Sequence, residues 1–249
     1  MTTHVYSDDF MQYAAQSSGY SANAITSMLY EKLDINSVLD VGCARGTWLR
    51  IWREVGVADL HGVDGDYIDP RILELPGLTF TTVDLNCAFN LGREFDLVQS
   101  LEVGEHIKES ASDTFTECLA RHARRYVLFS AAPPGQGGEY HINEQPYEFW
   151  RRKFERRGFI TIDAVRPTII NDKKISYWYR YNLLLFIRRE LLPEIPNDLR
   201  EKMVHTNDQI RDLSPVAFRL RKAIVGRLPT GVQHQIARLK SKLLPTGRF

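Results

Sequence analysis

The chain has 249 residues, of which 43% are hydrophobic and 25% are charged, and its formal net charge is +1. This composition is typical of a globular protein with a buried core, and no apolar run reaches the roughly 18 residues that a membrane-spanning helix needs. The amino terminus lacks the basic start and apolar core of a signal peptide. The three cysteines form no Cys-x-x-Cys pair, which argues against a disulfide framework or a thiolate zinc site and favours a reducing cytoplasm.

The first predicted element is a helix over residues 7–33, with Tyr6, Tyr13 and Tyr20 seven apart. Such a helix fits either a lid over a binding site or an ordinary amphipathic helix packed on a sheet, because periodicity alone does not separate the two. We interpret residues 1–34 as an amino-terminal helical lid.

Alternating strand and helix patterns follow between residues 37 and 132. Apolar runs predict strands at 37–42, 59–64, 79–84, 95–101 and 125–132, and the segments between them predict helices at 46–55, 69–75 and 110–122. This order favours an α/β fold with a doubly wound, mostly parallel sheet and helices on both faces.

Residues 38–49 are the most informative segment of the chain. A buried strand ending near Asp40 leads into a turn with Gly42 and Gly46 and then into a helix. Glycine lets backbone approach a ligand closely, and the helix N-terminus offers N–H groups. The Gly-x-x-x-Gly spacing differs from the Gly-x-Gly-x-x-Gly of dinucleotide-binding proteins, and no Gly-Lys-Ser/Thr of a phosphate-binding loop follows. The segment therefore predicts a nucleotide-binding turn of another kind.

Functional side chains recur at the ends of the next strands. Asp64 closes the second strand about 24 residues after Asp40, which is near the interval at which an acid reaches ribose hydroxyls in βαβ units. Asp84 and Leu85 close the third strand, and Leu101 ends the fourth. Because the carboxyl ends of parallel strands meet at one edge of a sheet, these groups predict a single binding crevice.

Together these motifs resemble class I S-adenosylmethionine (SAM)-dependent methyltransferases, over about residues 35–188. The resemblance implies a Rossmann-like methyltransferase fold with seven strands, the last one reversed, and a SAM-binding methyltransferase domain at residues 35–190. In this family the acid after the second strand binds ribose, and the residues after the third strand contact adenine. The resemblance implies cofactor-binding roles for Asp40, Gly42, Cys43, Gly46, Trp48, Asp64, Asp84, Leu85 and Leu101.

Glu102, Glu105 and His106 directly follow the fourth strand, where the crevice opens. The pattern resembles the Glu-x-x-Glu-His motif of ubiquinone-pathway O-methyltransferases and of small-RNA 2′-O-methyltransferases. The resemblance implies a divalent metal ion (Mg, Mn, Fe or Zn), with Glu102, Glu105, His106 and His141 as its ligands, and such ions accept carboxylate and imidazole groups. Alternatively, the two carboxylates favour a helix N-terminus and His106 packs or caps.

Residues 131–138, Ala-Ala-Pro-Pro-Gly-Gln-Gly-Gly, predict a long irregular loop near the same edge. The block from Ser130 to Trp150 resembles bacterial methyltransferases of glycan and natural-product pathways, and its polar groups suit either a polyhydroxylated acceptor or an ordinary polar loop. His106 and His141 are the candidate catalytic bases that accept a proton from an acceptor hydroxyl.

The sheet is completed by a predicted helix at 145–157 and by strands at 159–165 and 179–188, which are expected to pair as an antiparallel hairpin. Residues 191–249 are interpreted as a helical, basic carboxyl-terminal extension.

Charge is distributed unevenly along the chain. Eight Lys or Arg and no acid follow Asp212, so the first 212 residues carry 24 basic and 31 acidic groups. A narrow apolar stripe over residues 231–244 fits packing on the acidic body or on a second subunit, and residues 213–249 also fit peripheral contact with an anionic membrane. Nucleic acid is not an expected partner, because the tail offers few aromatic groups for base stacking.

The sequence thus predicts a cytoplasmic SAM-dependent methyltransferase, free or peripheral to the inner face of the membrane. Its expected acceptor is a hydroxyl on a sugar, a glycan or a small polar metabolite, because an amine acceptor would need neither a metal nor a base. Two alternatives stay open. One is an RNA 2′-O-methyltransferase with the same Glu-x-x-Glu-His site, and the other is a non-catalytic SAM-binding or membrane-docking module.

Overall fold

The structure is a computed structural model that describes residues 8–228, with side chains described from Ser18 onward. A mixed sheet forms the centre of this part of the chain. Its seven strands are β1 (Ser37–Val41), β2 (Asp59–Asp64), β3 (Thr79–Thr82), β4 (Phe95–Leu101), β5 (Ala123–Ser130), β6 (Phe159–Ile162) and β7 (Leu184–Arg188).

The strand order is β3-β2-β1-β4-β5-β7-β6. The first five strands pair in parallel, whereas β7 pairs antiparallel with both β5 and β6. The predicted doubly wound α/β sheet with a reversed last strand is therefore confirmed.

Helices cover both faces of the sheet. They are α1 (Asp8–Lys32), α2 (Thr47–Glu54), α3 (Ser112–His122), α4 (Tyr147–Glu155), α5 (Val165–Ile169), α6 (Tyr177–Asn182), α7 (Asn197–Arg200) and α8 (Val216–Val225). Side chains of α1 and α2, among them Leu29 and Trp52, pack on one face, and side chains of α3 and α4, among them Phe115 and Phe154, pack on the other. Because successive strand residues point to opposite faces, Leu97 and Val98 of β4 lie in different clusters.

Two predicted elements are wrong. The helix expected at 69–75 is a single 3-10 turn, Pro70–Ile72, because Leu73 is extended and the N–H of Glu74 donates to Arg45 O at 2.8 Å instead of continuing a helix. The strand expected from Tyr179 begins at Leu184, since residues 177–182 form α6. The aromatic residues there favour a strand by propensity, but burial of Tyr179 against Trp48 overrides that preference.

The chain beyond β7 returns along the outer edge of β6. The N–H of Asp163 donates to Lys202 O, and the N–H of Val204 donates to Thr161 O, both at 2.9 Å. Arg151 of α4 is buried and donates to the backbone carbonyls of His205, Thr206 and Asp208. Part of the carboxyl-terminal extension is therefore packed on the sheet domain. The apolar stripe predicted at 231–244 lies outside the described residues.

None of the helices within residues 8–228 combines the length and the hydropathy that crossing a lipid bilayer requires.

Asp40 is a carboxyl group inside the sheet. Asp40 is 3% exposed, and it pairs in register with Gln99 of β4. Burial raises the pKa of Asp40 to about 7, and the nearby charge of Asp64 adds to the increase, while the Gln99 side chain opposes it. A group with a raised pKa in the folded state holds its proton more tightly there than in the unfolded chain.

This shift predicts that folding stability falls with rising pH. The contribution of Asp40 is fully present below its ordinary pKa of 3.8 and is lost as pH rises towards about 7. Asp40→Asn cannot ionise, so we expect it to remove a dependence of up to about 1.4 kcal/mol per pH unit in that interval. Urea unfolding at several pH values checks this, with the exposed Asp66→Asn as the control. Parallel pH profiles of the wild-type protein and Asp40→Asn would contradict it.

Candidate active site at the carboxyl edge of the sheet

The turn after β1 has three residues in left-handed backbone conformations. The φ angles are +83° for Gly42, +49° for Ala44 and +78° for Gly46. The N–H groups of Gly42 and Cys43 both donate to Val63 O of β2, at 2.7 and 3.2 Å. A Cβ on Gly42 would lie 2.4 Å from Val103 Cγ2, so this turn is pressed against the loop after β4.

Asp64, at the end of β2, connects this turn to the second strand. Its carboxylate is 2% exposed and accepts from Ala44 N–H at 2.7 Å, from Gly65 N–H at 2.7 Å and from the Tyr67 hydroxyl at 2.5 Å. Burial raises the pKa of the Asp64 carboxyl, and these three hydrogen bonds oppose the increase. The carboxylate is therefore held in one orientation beside the glycine turn.

Asp84 lies in a different environment after β3. The side chain is exposed, and its Oδ1 accepts from the backbone and side-chain nitrogens of Asn86 at 2.9 and 3.1 Å. These hydrogen bonds lower the pKa of Asp84, so the group is a carboxylate at neutral pH. Leu85 beside it is buried.

Three further candidates for cofactor binding line the region around the turn. Cys43 is buried, and burial raises the pKa of its thiol well above the ordinary value. Trp48 packs edge-on against Tyr179 with ring centroids 5.3 Å apart. Leu101 is half-buried at the end of β4. Because the reactive form of cysteine is the thiolate, the Cys43 thiol with its raised pKa is a packing group.

Glu102 follows β4 in a left-handed conformation with φ of +56°, which is uncommon for a residue with a side chain. Its N–H donates to Ser130 O of β5 at 2.9 Å. Its carboxylate accepts from Gln136 Nε2 and from Asn182 Nδ2, both at 3.2 Å, and Asn182 also donates to Gln136 Oε1. Glu102 is thus part of an amide network between the loop after β5 and the end of α6.

Glu105, His106 and His141 form a compact cluster. One ligand atom from each, a carboxylate oxygen or an imidazole nitrogen, lies within 4.8 Å of the others. The N–H groups of Ile142 and Asn143 both donate to Glu105 O at 2.9 Å, which fixes the loop after β5 against residues 104–106. Two loops that are distant in sequence therefore converge on this cluster.

Both histidines are oriented through their Nδ1 atoms. His141 Nδ1 lies 2.7 Å from Glu144 Oε1, and His106 Nδ1 lies 3.0 Å from Tyr140 O. A carbonyl or a carboxylate accepts a hydrogen bond from Nδ1–H, so the neutral imidazole carries its lone pair on Nε2. The Glu144 carboxylate also accepts from Gly135 N–H and Gly137 N–H at 2.7 Å, which anchors it.

The carboxylate of Glu105 is fully buried. Neither of its oxygens has a hydrogen-bonding partner within the described part of the chain, and His141 Nε2 lies 4.0 Å from Oε1. Burial raises the pKa of Glu105 well above its ordinary value, and the charges of Glu102 and Glu144 increase it further, while the nearby backbone N–H groups of Glu105 and Ala132 oppose the increase. A buried carboxyl group of this kind takes up either a proton or a cation.

The structure brings together three of the four residues predicted as metal ligands. Glu102 does not lie in the cluster, because its left-handed backbone directs the carboxylate to the amides of Gln136 and Asn182. Asn182 was missed in the sequence, where it lay within a predicted strand. Asn143 and Glu144 brace the loop, since Asn143 donates to Ser112 Oγ and Gly104 O while Glu144 holds the glycines and His141.

The close approach of Gly42 to Val103 predicts a specific loss of stability. In Gly42→Ala, the new methyl group meets Val103 in addition to the strain of a positive φ, which we expect to cost about 1–3 kcal/mol beyond the strain alone. Gly92→Ala is the matched control, because Gly92 has φ of +69° and nothing within 4 Å of an added Cβ. Equal losses of unfolding free energy in urea would show that the contact with Val103 is unimportant.

Comparison with solved structures places this fold among methyltransferases. A sugar N-methyltransferase from a Streptoalloteichus species is 16% identical, with a TM-score of 0.56 over 76% of this chain and 98% of the other. Magnesium protoporphyrin IX methyltransferase from Synechocystis is 20% identical, with a TM-score of 0.50 over 76% and 89%. An amino pentose methyltransferase from Micromonospora echinaspora is 14% identical, with a TM-score of 0.50 over 76% and 100%. At these identities the likeness concerns the fold.

Comparison with curated protein sequences returned no match. The sequence model of the methyltransferase-domain family matches residues 10–163, which is more than half of the chain. The matched range contains the glycine turn, Asp64 and the Glu105–His106–His141 cluster. The chain belongs to the methyltransferase-domain family, and it is a class I SAM-dependent methyltransferase.

Proposed function

We propose that this methyltransferase methylates a hydroxyl group of a sugar or another small polar metabolite, and that it holds a divalent metal ion on Glu105, His106 and His141. The observation that carries the proposal is the Glu105 carboxylate, which is fully buried beside two histidines and has no side-chain hydrogen-bonding partner in the described residues. Leaving such a group without a counter-charge costs several kcal/mol.

The cofactor side of the proposal rests on the ends of the first three strands. Asp64 is proposed to accept hydrogen bonds from the ribose hydroxyls, because its carboxylate is already oriented by backbone N–H groups beside the turn. The methionine part of SAM would lie along the turn from Gly42 to Gly46, and the adenine would lie near Asp84 and Leu85. Asp40, Cys43, Trp48 and Leu101 stay predicted members of this site.

The donor set fits a metal ion in its chemistry. Two imidazoles and one carboxylate suit Zn, Fe or Mn better than Mg, which prefers oxygen ligands. Glu144 supplies His141 with the carboxylate partner that metal-bound histidines usually have on their other nitrogen, and Tyr140 O plays this part for His106. When bound, a metal ion supplies a lowered pKa for a coordinated hydroxyl group. Glu102 is left out of the proposed ligand set.

In the proposed reaction, residues of the chain position the two substrates and accept a proton. Methyl transfer needs the acceptor oxygen in line with the sulfonium methyl group, and the direct contact between Gly42 and Val103 would fix the glycine turn relative to the loop after β4. Glu102, Gln136 and Asn182 offer carboxylate and amide groups for the other hydroxyls of a polyhydroxylated acceptor. If no metal ion occupies the cluster, His106 Nε2 or His141 Nε2 would receive the proton of the reacting hydroxyl directly.

Different observations support a hydroxyl as the acceptor group and a sugar as the acceptor molecule. The cluster favours a hydroxyl, since a neutral amine attacks without losing a proton first. The sugar is supported by the hydrogen-bonding groups near Glu102 and by the acceptors named for the Streptoalloteichus and Micromonospora enzymes, which share the fold. Those two act on amino sugars or at nitrogen according to their names, so the product analysis must distinguish O-methyl from N-methyl groups.

The metal is tested with the full chain, by measuring metal content and methyl transfer. We expect about one divalent ion per purified chain, and we expect Glu105→Gln and His141→Gln to lose it. Glu109→Gln, at an exposed carboxylate nearby, is the control and retains the ion. Removing the ion with a chelator is expected to slow methyl transfer at least tenfold, with recovery on adding Zn, Fe(II) or Mn. Full turnover without any divalent ion would refute the proposal that a metal ion takes part in methyl transfer.

The acceptor is tested with SAM that carries a labelled methyl group. The enzyme is incubated with fractionated cell extract, and the labelled product is identified by mass analysis. We expect an O-methyl group on a sugar-containing or other small polar molecule. A labelled RNA 2′-oxygen would instead support the RNA alternative, and a labelled nitrogen would contradict the assignment of a hydroxyl acceptor.

A further inference from the structure

Helix α8 packs on the loop that carries His141. A Cβ on Gly135 would lie 2.0 Å from Lys222 O, and Arg221 Nη1 donates to Gln136 O at 3.1 Å. The loop continues from Gly135 through Glu144, which holds His141. The position of α8 is therefore fixed relative to the candidate active site.

The inner face of α8 is well packed. The Lys222 side chain is 6% exposed and forms an ion pair with Asp212 at 2.5 Å. The Phe218 ring lies 5.4 Å from the Tyr177 ring and 5.8 Å from the Tyr181 ring, measured between centroids. Val225 is buried at the end of the helix. These contacts define which side of α8 faces solvent.

The outer face of α8 carries an aliphatic stripe. Val216, Leu220 and Ile224 follow one another at intervals of four residues, and they are 62%, 61% and 64% exposed. Within the described residues, the other strongly exposed large apolar side chains are scattered over the surface, on four separate positions. Three such residues on one helix of ten residues form a continuous aliphatic stripe that the other described residues leave exposed.

The segment that carries this stripe is rich in basic residues. Arg219 and Arg227 are exposed on the same helix or directly after it. Eight Lys or Arg and no acid follow Asp212 in the sequence, and four of these basic residues lie in 229–249, beyond the described part. An aliphatic strip within a basic, acid-free segment is the combination that binds an anionic lipid headgroup layer.

We infer that α8 docks the protein on an anionic membrane surface, with Val216, Leu220 and Ile224 entering the headgroup layer. A second protein subunit is a poorer occupant, because three side chains cover far less than the roughly 1,000 Å² that a stable protein interface needs. Pairing two copies through α8 would also bring two basic segments together. A lipid layer accepts a small strip and complements its charge. The inference does not depend on which molecule is methylated.

Docking would place a defined part of the enzyme at the membrane. Because α8 lies against residues 135–136, the loop over the candidate active site would lie near the lipid surface. Binding through a short strip and a few charges is reversible and depends strongly on salt.

The test is sedimentation of the full chain with lipid vesicles. We expect binding to vesicles of phosphatidylcholine with roughly a third phosphatidylglycerol, little binding to phosphatidylcholine alone, and release at high salt. Leu220→Ser combined with Ile224→Ser is expected to lower the bound fraction at least about fivefold. Ile72→Ser, at an apolar side chain 42% exposed elsewhere, is the control and binds like the wild-type protein.

The contradicting results are distinct. Equal binding of the double variant and the wild-type protein would overturn the role of α8, as would absence of binding to anionic vesicles. A dimer in sedimentation velocity that the same two substitutions abolish, without vesicle binding, would assign the strip to self-association instead. Unchanged thermal melting of the variants verifies their folding, which is expected because both substituted side chains are more than 60% exposed.

Discussion

The hydrogen bond from Ala44 N–H to the Asp64 carboxylate is the contact on which the rest of the site depends. It joins the left-handed turn after β1 to the end of β2, and Gly65 N–H and the Tyr67 hydroxyl complete the coordination of the same carboxylate. Burial raises the pKa of Asp64, and these donors oppose that increase by stabilising the charged form of the carboxyl group. The hydrogen bond from Ala44 also holds the residues after β1 in left-handed conformations, which residues with large side chains rarely adopt.

A second constraint connects the cofactor region to the acceptor region. Gly42 and Val103 approach so closely that no side chain fits between them, and Glu105 lies two residues beyond Val103. The position of the Glu105–His106–His141 cluster relative to the glycine turn is thereby set by packing of the Gly42 backbone against the Val103 side chain. The loop after β5 completes the arrangement, because Ile142 and Asn143 are bonded to Glu105 O and Glu144 fixes the ring of His141. These contacts would hold the methyl donor and the acceptor in fixed relative positions in the proposed reaction.

Much of this was predictable from the sequence, for physical reasons. The first and fourth strands are buried on both faces and are therefore rich in apolar residues, and they were located within one residue of their observed bounds. The family, SAM as the cofactor and the enzyme class are confirmed, whereas the metal ion stays a proposal. Spacing brought Glu105 and His106 together, but it could not reveal that φ of +56° turns Glu102 towards Gln136 and Asn182.

The surface of α8 was harder to foresee. Both of its faces contain large apolar residues, with Phe218 and Val225 facing inward and Leu220 and Ile224 facing outward. A helix of this kind has no clear polar side, so its sequence pattern gives a weak amphipathic signal although its packed face is well defined. Tertiary contact with Gly135 decides which face is exposed.

The most direct test of the account is whether Asp64 recognises the ribose of SAM. Calorimetry would compare S-adenosylhomocysteine with its analogue lacking both ribose hydroxyls, on the wild-type protein and on Asp64→Ala. Comparing two ligands within each protein cancels any general effect of the substitution on the turn. We predict that the wild-type protein binds the analogue at least about tenfold more weakly and that Asp64→Ala binds both ligands with nearly equal affinity. The same discrimination in Asp64→Ala and in the wild-type protein would contradict the account.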